Sequence, residues 1–344
     1  MDVSIVKEFY DQHRNRLLVF GSSGIAVWWC CRYYKNYIDS KRRQKAVKNF
    51  PDLRDNRTLM ARYLTPEMYS RLFYKTTGAG FTLDSAIQTG VDDKESSVGV
   101  VAGDEESYSV FSELFDLIIE DRHNGFRKGD HQVSDFDYKK VLDGRLDEKY
   151  VTGCKVMACR SIRGFRLPST CSREERRKLE MMIKTCLNEL TGDVQGRYYP
   201  ISAMTPDVMN YLIDNKYAFK APETVAQYSA GVGRDWPDAR GVWFNETKTF
   251  IVWVNEQDHV RVMSMQAGGD IPVTFERFCR GMKEFERQLK NFGREFMRSR
   301  HHGYINMCPS NIGTGLIVSV NICLPSLSKV RFSSSISYSI LNSR

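Results

Sequence analysis

The stretch Cys-Pro-Ser-Asn-Ile-Gly-Thr-Gly at residues 308–315 is the most informative part of this 344-residue chain. Two further motifs precede it, Arg-Asp-Trp-Pro-Asp-Ala-Arg-Gly at residues 234–241 and Trp-Val-Asn-Glu-Gln-Asp-His at residues 253–259. None of the three is a Walker P-loop, and no G-x-G-x-x-G follows a predicted strand. A nucleotide site in this chain would therefore have to be built from charged side chains.

Composition and charge indicate a folded protein, long enough for two domains. The hydrophobic fraction is 42%, the charged fraction is 27%, and the net charge is +8. Residues 1–75 hold 15 Lys and Arg against 7 Asp and Glu, whereas the remaining residues hold 35 of each. This distribution, together with the lack of an RNA or DNA motif, argues against a nucleic-acid partner. The nine cysteines form no C-x-x-C pair, which favours a reduced interior over a disulfide framework.

Local signals predict both helices and strands. Thr65, followed by proline, and the capping box formed by Ser172 and Glu175 mark two helix starts. Residues 249–254 and 260–265 have the composition of two paired strands. One apolar stripe at helical spacing, predicted to face the core, comprises Phe275, Phe278, Met282, Phe285, Leu289 and Phe292.

Four further motifs extend the pattern: Ile-Gln-Thr-Gly-Val-Asp at 87–92, Ala-Gly-Asp-Glu-Glu-Ser-Tyr at 102–108, Arg-Ser-Ile-Arg-Gly at 160–164 and Gly-Arg-Tyr-Tyr at 196–199. All seven motifs, in the order in which they follow along the chain, resemble those of the phosphagen kinases, and the chain is most similar to the mitochondrial-type creatine kinases. The resemblance implies an α+β fold, in which a small all-helical N-terminal domain is followed by a larger domain with an antiparallel sheet flanked by helices. It also implies reversible phosphoryl transfer between a guanidino compound such as creatine and ATP or ADP bound with Mg²⁺.

The resemblance also sets the expected domain boundaries. Residues 46–130 are expected to form the helical domain, and residues 149–330 the catalytic-type domain. Residues 126–148 are polar, contain glycine and are predicted to be a linker. The serine-rich residues 331–344 match nothing in the family after their first positions, so we expect a truncated catalytic domain followed by a non-family tail.

Residues 1–45 are expected to be a targeting or membrane-proximal leader. Residues 17–31 carry no charge, but a membrane-spanning helix needs about 20 such residues. A basic cluster follows at 41–45, and this order is similar to the presequence of mitochondrial creatine kinases. It favours the mitochondrial inner membrane or intermembrane space. A membrane anchor and a plain extension of a cytoplasmic protein stay open, because Asp2 and Glu8 are unusual in a transit peptide.

Several positions match catalytic residues of the family. Cys308 matches a reactive cysteine that lies close to the guanidino group, which implies a partly ionised thiol; a buried apolar cysteine is the other interpretation. Glu256 matches the first of two adjacent glutamates, and Gln257 replaces the second, which grips the guanidinium. An amide carries no charge and cannot act as a base. Arg261 matches a phosphate-binding arginine.

The other nucleotide-binding positions depart from the family. Lys155 and Met157 replace two phosphate-binding arginines, Ile317 replaces a third, and Lys216 replaces a histidine. Lysine keeps the charge but loses the planar fork of arginine, whereas methionine and isoleucine donate nothing. We therefore expect a phosphagen kinase with impaired activity. The alternatives are an inactive paralogue that acts as a binding or structural protein, and a damaged chain without a stable function.

The expected partners are ATP, a creatine-like guanidino molecule and further copies of the chain in a homodimer or higher oligomer. Membrane contact through the N-terminus is also expected. No metal site made of protein ligands is expected. His301 and His302 are adjacent, adjacent residues rarely share one metal, and the sequence shows no third ligand.

Overall fold

The structure is a computed structural model that describes residues 24–127, 129–141 and 143–324. A helical N-terminal part is followed by a part built on a six-stranded antiparallel sheet, so the predicted α+β organisation is confirmed. The N-terminal helices are α1 (Gly24–Asn49), α2 (Leu59–Tyr63), α3 (Pro66–Leu72), α4 (Leu83–Asp92), α5 (Ser107–Val110) and α6 (Ser112–Arg122).

The helical domain forms as the local signals predict. Thr65 caps α3, and its hydroxyl accepts a hydrogen bond from the Met68 backbone N–H at 3.2 Å. The helices enclose an apolar cluster that includes the fully buried Leu72 and Phe115. Met307, from the far end of the chain, belongs to the same cluster. The two domains therefore share buried apolar surface.

Helix α1 runs without a break through the predicted end of the leader. Ala46 is fully buried, and the Tyr69 hydroxyl donates a hydrogen bond to the Asn49 carbonyl at 3.2 Å. These contacts attach the end of α1 to α3. Within the described ranges, no helix has both the length and the apolar content that crossing a membrane requires. The rest of the expected leader, residues 1–23, and the expected tail, residues 331–344, lie outside the described residues.

The second domain is organised around its sheet. In spatial order the strands are β2 (Gly196–Pro200), β3 (Gly241–Asn245), β4 (Phe250–Val254), β5 (Val260–Ala267), β1 (Val151–Arg160) and β8 (Leu316–Ile322). A separate short ribbon consists of β6 (Arg298–Ser299) and β7 (Gly303–Tyr304). Strand β1 comes first in the chain but lies between β5 and β8, so three distant segments become neighbours.

Two long helices cover one face of the sheet, α7 (Arg173–Asn188) and α10 (Ile271–Asn291). Helix α7 starts with the predicted capping box. The predicted stripe of α10 is buried from Phe275 to Leu289. The prediction for Phe292 was wrong: this side chain is 47% exposed because the helix ends one residue earlier.

The opposite face is covered only in part. The remaining helices are α8 (Pro206–Asp214) and α9 (Val225–Ser229). Leu212 of α8 packs in an apolar cluster with Val242 of β3, which covers the end of the sheet formed by β2 to β4. Lys155 and Met157 of β1 lie on the same face and stay partly exposed. This open area carries the candidate site.

Candidate functional site

An apolar row crosses the open face of the sheet at β1. Met157 lies opposite Met263 of β5 on one side and opposite Ile317 of β8 on the other. Ile251 of β4 continues the row beyond Met263. Opposed residues of an antiparallel pair share one face of the sheet. The structure therefore brings the predicted positions 157 and 317 together, but neither side chain has a hydrogen-bond donor to offer a phosphate.

A polar row lies beside the apolar one. Arg261 is opposite Cys159 on one side and Trp253 on the other, and its Cζ lies 5.3 Å from the centre of the Trp253 ring. Arg261 Nη2 lies 2.9 Å from Glu256 Oε2 and donates a hydrogen bond to Gln257 Oε1 at 3.3 Å. The predicted site residues Arg261, Glu256 and Gln257 are thus in direct contact and form one contact group.

Burial determines the charges in this contact group. Burial by itself would lower the pKa of Arg261, but Cys159, Glu256 and Asp258 raise that pKa on balance, so the guanidinium stays charged. Burial raises the pKa of Cys159 to about 12, which keeps it a neutral thiol at pH 7. Arg261 Nε is buried and has no hydrogen-bond partner among the described residues, whereas the buried Glu256 Oε2 has the ion pair with Arg261 as its polar contact. Because buried polar atoms are normally hydrogen-bonded, Arg261 Nε is suited to a polar ligand.

Two lysines add positive charge near Arg261. Lys155 is partly buried on β1, two residues before Met157 and on the same face. Burial lowers the pKa of Lys155, and the positive charges of Lys216 and Arg261 lower it further. Lys216 is exposed and follows α8 in a left-handed backbone conformation with φ of 62°. The three predicted cations therefore share one electrostatic neighbourhood.

Cys308 lies at the junction of the two domains, directly before the short 3₁₀ turn Pro309–Asn311. Its Sγ is 3.5 Å from the Ser310 hydroxyl oxygen. Burial raises the pKa of Cys308, and the hydrogen bond with Ser310 offsets only part of that increase. The neutral thiol is therefore the favoured form at pH 7, whereas the family resemblance implied a partly ionised one.

Asp258 also belongs to this region, although it is not among the predicted site residues. Its buried carboxylate accepts a hydrogen bond from the Met307 backbone N–H at 2.8 Å and one from Asn311 Nδ2 at 3.4 Å. Asp258 thereby joins the loop that carries Glu256 to the segment that carries Cys308. The sequence signal that could have identified Asp258 was its position inside the motif at residues 253–259, directly after β4.

His259 holds the same loop from another side. Its Nδ1 accepts a hydrogen bond from the Ile162 N–H at 2.9 Å, and its Nε2 is 3.0 Å from the Arg166 carbonyl oxygen. An accepting Nδ1 and a donating Nε2 define a neutral imidazole. In agreement, burial lowers the pKa of His259 to about 4. His259 therefore has a positioning role.

A cavity of about 720 Å³ adjoins the Ile317 end of the apolar row. Its walls include the end of α6, residues 310–315 and the start of β8, so both domains contribute. His123, Ser310 and Thr314 supply polar atoms to the lining. The space has the size of a small-molecule site.

Domain families of known activity match both parts of the chain. The N-terminal domain of ATP:guanido phosphotransferases matches residues 54–120, and their C-terminal catalytic domain matches residues 178–343. Creatine kinase M-type of Gallus gallus is 49% identical over 289 residues, which cover 83% of this chain and 76% of that protein. The chain belongs to the ATP:guanido phosphotransferase family. The resemblance to phosphagen kinases is thereby confirmed.

Solved structures of phosphagen kinases share the fold. A crystal structure of lombricine kinase has a TM-score of 0.79 at 47% identity and covers 83% of this chain and 79% of its own. The duplicated taurocyamine kinase from Schistosoma mansoni with bound transition state analog components has a TM-score of 0.74 at 30% identity, over 84% of this chain and 39% of its own. The family match extends to residue 343 and therefore runs through most of the expected tail, residues 331–344. That this tail lies outside the family stays a prediction.

Proposed function

We propose that this phosphagen kinase transfers a phosphoryl group between Mg-ATP and a creatine-type guanidino compound, at a strongly reduced rate. The observation that carries the proposal is the Met157–Ile317 pair on the open face of the sheet. Arginine holds a phosphate through two parallel charge-assisted hydrogen bonds, which neither of these side chains can replace. Arg261 and Lys155 remain, and their charges support a weakened phosphate site.

Each remaining residue has a defined task in this proposal. Lys155 and Arg261 neutralise phosphate oxygens, and Mg²⁺, when bound with the nucleotide, supplies further neutralising charge. Glu256 orients the substrate guanidinium and takes the proton that is released as the N–P bond forms and the P–O bond to ADP breaks. Gln257 orients the substrate through its amide oxygen but cannot take a proton.

The expected loss of rate follows from the missing guanidinium groups. A hydrogen bond to a charged group contributes about 1.5–3 kcal/mol. If the contributions at positions 157 and 317 were additive, their loss in the transition state would amount to about 3–6 kcal/mol, or about 10²- to 10⁴-fold in rate. A loss of this size leaves a measurable enzyme.

A second function is favoured by a different observation. Arg261, the one matched arginine among the phosphate positions, is already ion-paired with Glu256 at 2.9 Å. A phosphate and a guanidinium would both have to displace this internal pair before they bind. The alternative is therefore an inactive family member that acts as a binding or structural protein.

We also propose mitochondrial targeting, membrane contact through the N-terminus, and assembly into a homodimer or higher oligomer. The support is the basic excess of residues 1–75 and the basic cluster at 41–45, which lies on α1. Imaging of a C-terminal fluorescent fusion tests the location, flotation with vesicles tests the membrane contact, and light scattering of the purified chain tests the assembly.

A coupled assay on the full chain tests the proposed activity. It starts from Mg-ADP and the phosphorylated forms of creatine, lombricine and taurocyamine, and it follows ATP formation. We expect a rate above that of Arg261→Ala with at least one of the three substrates. A rate equal to that of Arg261→Ala with all three would instead support the inactive alternative.

A further inference from the structure

A cluster of three side chains at the domain junction has no part in the proposed phosphoryl transfer. It consists of Asp116 on α6 and of His301 and His302 in the turn between β6 and β7, and is called the junction cluster below. One carboxylate oxygen and one ring nitrogen from each histidine lie within 4.8 Å of one another. The sequence shows no third ligand beside the histidine pair, but the fold brings Asp116 to it.

The turn explains how two adjacent residues can serve one site. Successive side chains of a strand point to opposite faces, but His301 and His302 lie in a turn. Their ring centres are only 4.3 Å apart. The argument that adjacent histidines rarely share a ligand sphere therefore does not apply to this backbone conformation.

The protein already orients both rings. His301 Nδ1 lies 2.6 Å from the Asp130 carbonyl oxygen, and a proton on this nitrogen leaves the lone pair of Nε2 free. Such a hydrogen bond to a backbone carbonyl is the usual support of a metal-binding histidine. The centre of the His302 ring lies 5.4 Å from that of the Tyr108 ring of α5, and this contact restricts its orientation.

His302 carries the second, independent observation. Its exposure is 9%, and its Nε2 is buried without a hydrogen-bond partner in the described part of the chain. That nitrogen lies 3.7 Å from Asp116 Oδ1, too far for a hydrogen bond. A buried nitrogen and a carboxylate oxygen thus lie 3.7 Å apart without a hydrogen bond between them.

We propose that the junction cluster binds a divalent transition metal of the Zn²⁺ class and links the two domains. Two imidazoles and one carboxylate form a donor set that suits Zn²⁺, whereas Mg²⁺ and Ca²⁺ prefer oxygen ligands. In a tetrahedral zinc site the ligand atoms lie about 3.3 Å apart, given metal–ligand bonds of about 2.0–2.1 Å. Small side-chain rotations close the present spacing to that value.

The surroundings leave a place for a fourth ligand. His302 also lines the 720 Å³ cavity, which gives the metal a route from solvent and room for a water molecule. His123 lies on the same cavity wall, and burial lowers its pKa, so it adds no positive charge that would repel a cation at neutral pH. The geometry therefore suits an accessible three-ligand centre.

The location determines the physical effect of the metal. Asp116 belongs to the helical domain, whereas both histidines belong to the sheet domain. A metal that binds the folded chain more tightly than the unfolded chain raises the melting temperature. Because its ligands come from both domains, it also restricts their relative movement.

The test is a titration of the full chain with ZnCl2 in competition with a chromophoric chelator, with MgCl2 in a parallel experiment. We expect one tight Zn²⁺ site and a rise in Tm of at least about 3 °C. Asp116→Asn and His302→Leu should each weaken Zn²⁺ binding at least about tenfold. His131→Ala alters another histidine of the same cavity wall and should leave the affinity unchanged.

Two controls keep the proposal open to refutation. Circular dichroism and Tm without metal show whether each variant folds, and Asp116→Asn decides the outcome if His302→Leu does not fold. X-ray absorption distinguishes nitrogen and oxygen ligands at about 2.0–2.2 Å from cysteine sulfur at about 2.3 Å. Sulfur ligation, unchanged affinity in Asp116→Asn, or equal binding of Mg²⁺ would overturn the proposal.

Discussion

Met157 lies directly opposite Ile317 in the ladder between β1 and β8. The Cβ atoms of such opposed residues are about 4.5–5.5 Å apart, so one phosphate group could contact both positions. The family resemblance places phosphate-binding arginines at both, and this chain instead has two apolar side chains there, beside the buried Met263. The two substitutions therefore weaken phosphate binding at the same point of the candidate site.

A single guanidinium on this surface is expected to strengthen Mg-ADP binding. Met157→Arg places a donor beside Lys155, and a charge-assisted hydrogen bond of about 1.5–3 kcal/mol corresponds to a gain in affinity of about tenfold or more. Isothermal titration calorimetry measures the change. Ile322→Arg is the control, because it adds the same charge to an exposed position at the other end of β8, outside the cavity lining. Equal gains in both variants would show that position 157 is not special.

A second carboxylate beside the guanidinium is expected to increase turnover. Gln257→Glu adds a negative charge next to Glu256, and it also adds a second base for the released proton. We expect kcat to rise by about tenfold or more, since a positioned general base contributes at least this much. Gln257→Ala is the control and should not gain activity. A rate in Gln257→Glu no higher than in Gln257→Ala would contradict the assignment.

The neutral, buried His259 predicts a loss of stability in mild acid. The pKa of His259 falls from its ordinary value of 6.5 to about 4 in the folded chain, so the unfolded chain binds more protons between these values. Stability from this group is complete above pH 6.5 and is lost as the pH falls toward 4. Between pH 7 and pH 5, the free energy of unfolding should fall by about 2 kcal/mol from this group.

Urea denaturation at pH 7 and pH 5 measures this contribution. His259→Asn keeps an acceptor for the Ile162 N–H but cannot titrate. Its free energy of unfolding should fall by about 2 kcal/mol less than that of the original chain over this pH range. An equal fall in both proteins would show that other groups cause the acid sensitivity.

Cys308 is expected to react slowly with alkylating agents at neutral pH. The thiolate is the reactive form, and burial raises the pKa of this thiol. Mass spectrometry after iodoacetamide treatment should show slower modification of Cys308 than of the exposed Cys323, with a rate that still increases above pH 8. Cys308→Ser confirms the assignment of the peptide. Modification of Cys308 faster than of Cys323 at pH 7 would instead support an ionised thiol.

Short-range chemistry made part of this fold predictable. The cap at Thr65, the capping box before α7 and strands β4 and β5 depend on residues close together in the chain, and the structure contains all of them. The stripe of α10 failed at Phe292 because helix ends are set by local backbone geometry that apolar periodicity does not report. Family motifs then supplied the site residues that periodicity alone could not.

Long-range register was not predictable from the residues. That Met157 and Ile317 are opposed follows from the insertion of β1 between β5 and β8, which depends on tertiary packing. The approach of Asp116 to His302 depends on the docking of one domain against the other. Asp258 was overlooked because its partners, Met307 and Asn311, lie far along the chain.

The most direct test of the account is the initial rate of ATP formation by the double variant Met157→Arg/Ile317→Arg from phosphocreatine and saturating Mg-ADP. If the apolar pair limits the chemistry, the double variant should be at least about 10²-fold faster than the original chain, and each single variant should lie between the two. Ile322→Arg should leave the rate unchanged. A double variant that is folded and binds Mg-ADP, yet is no faster than the original chain, would contradict the account.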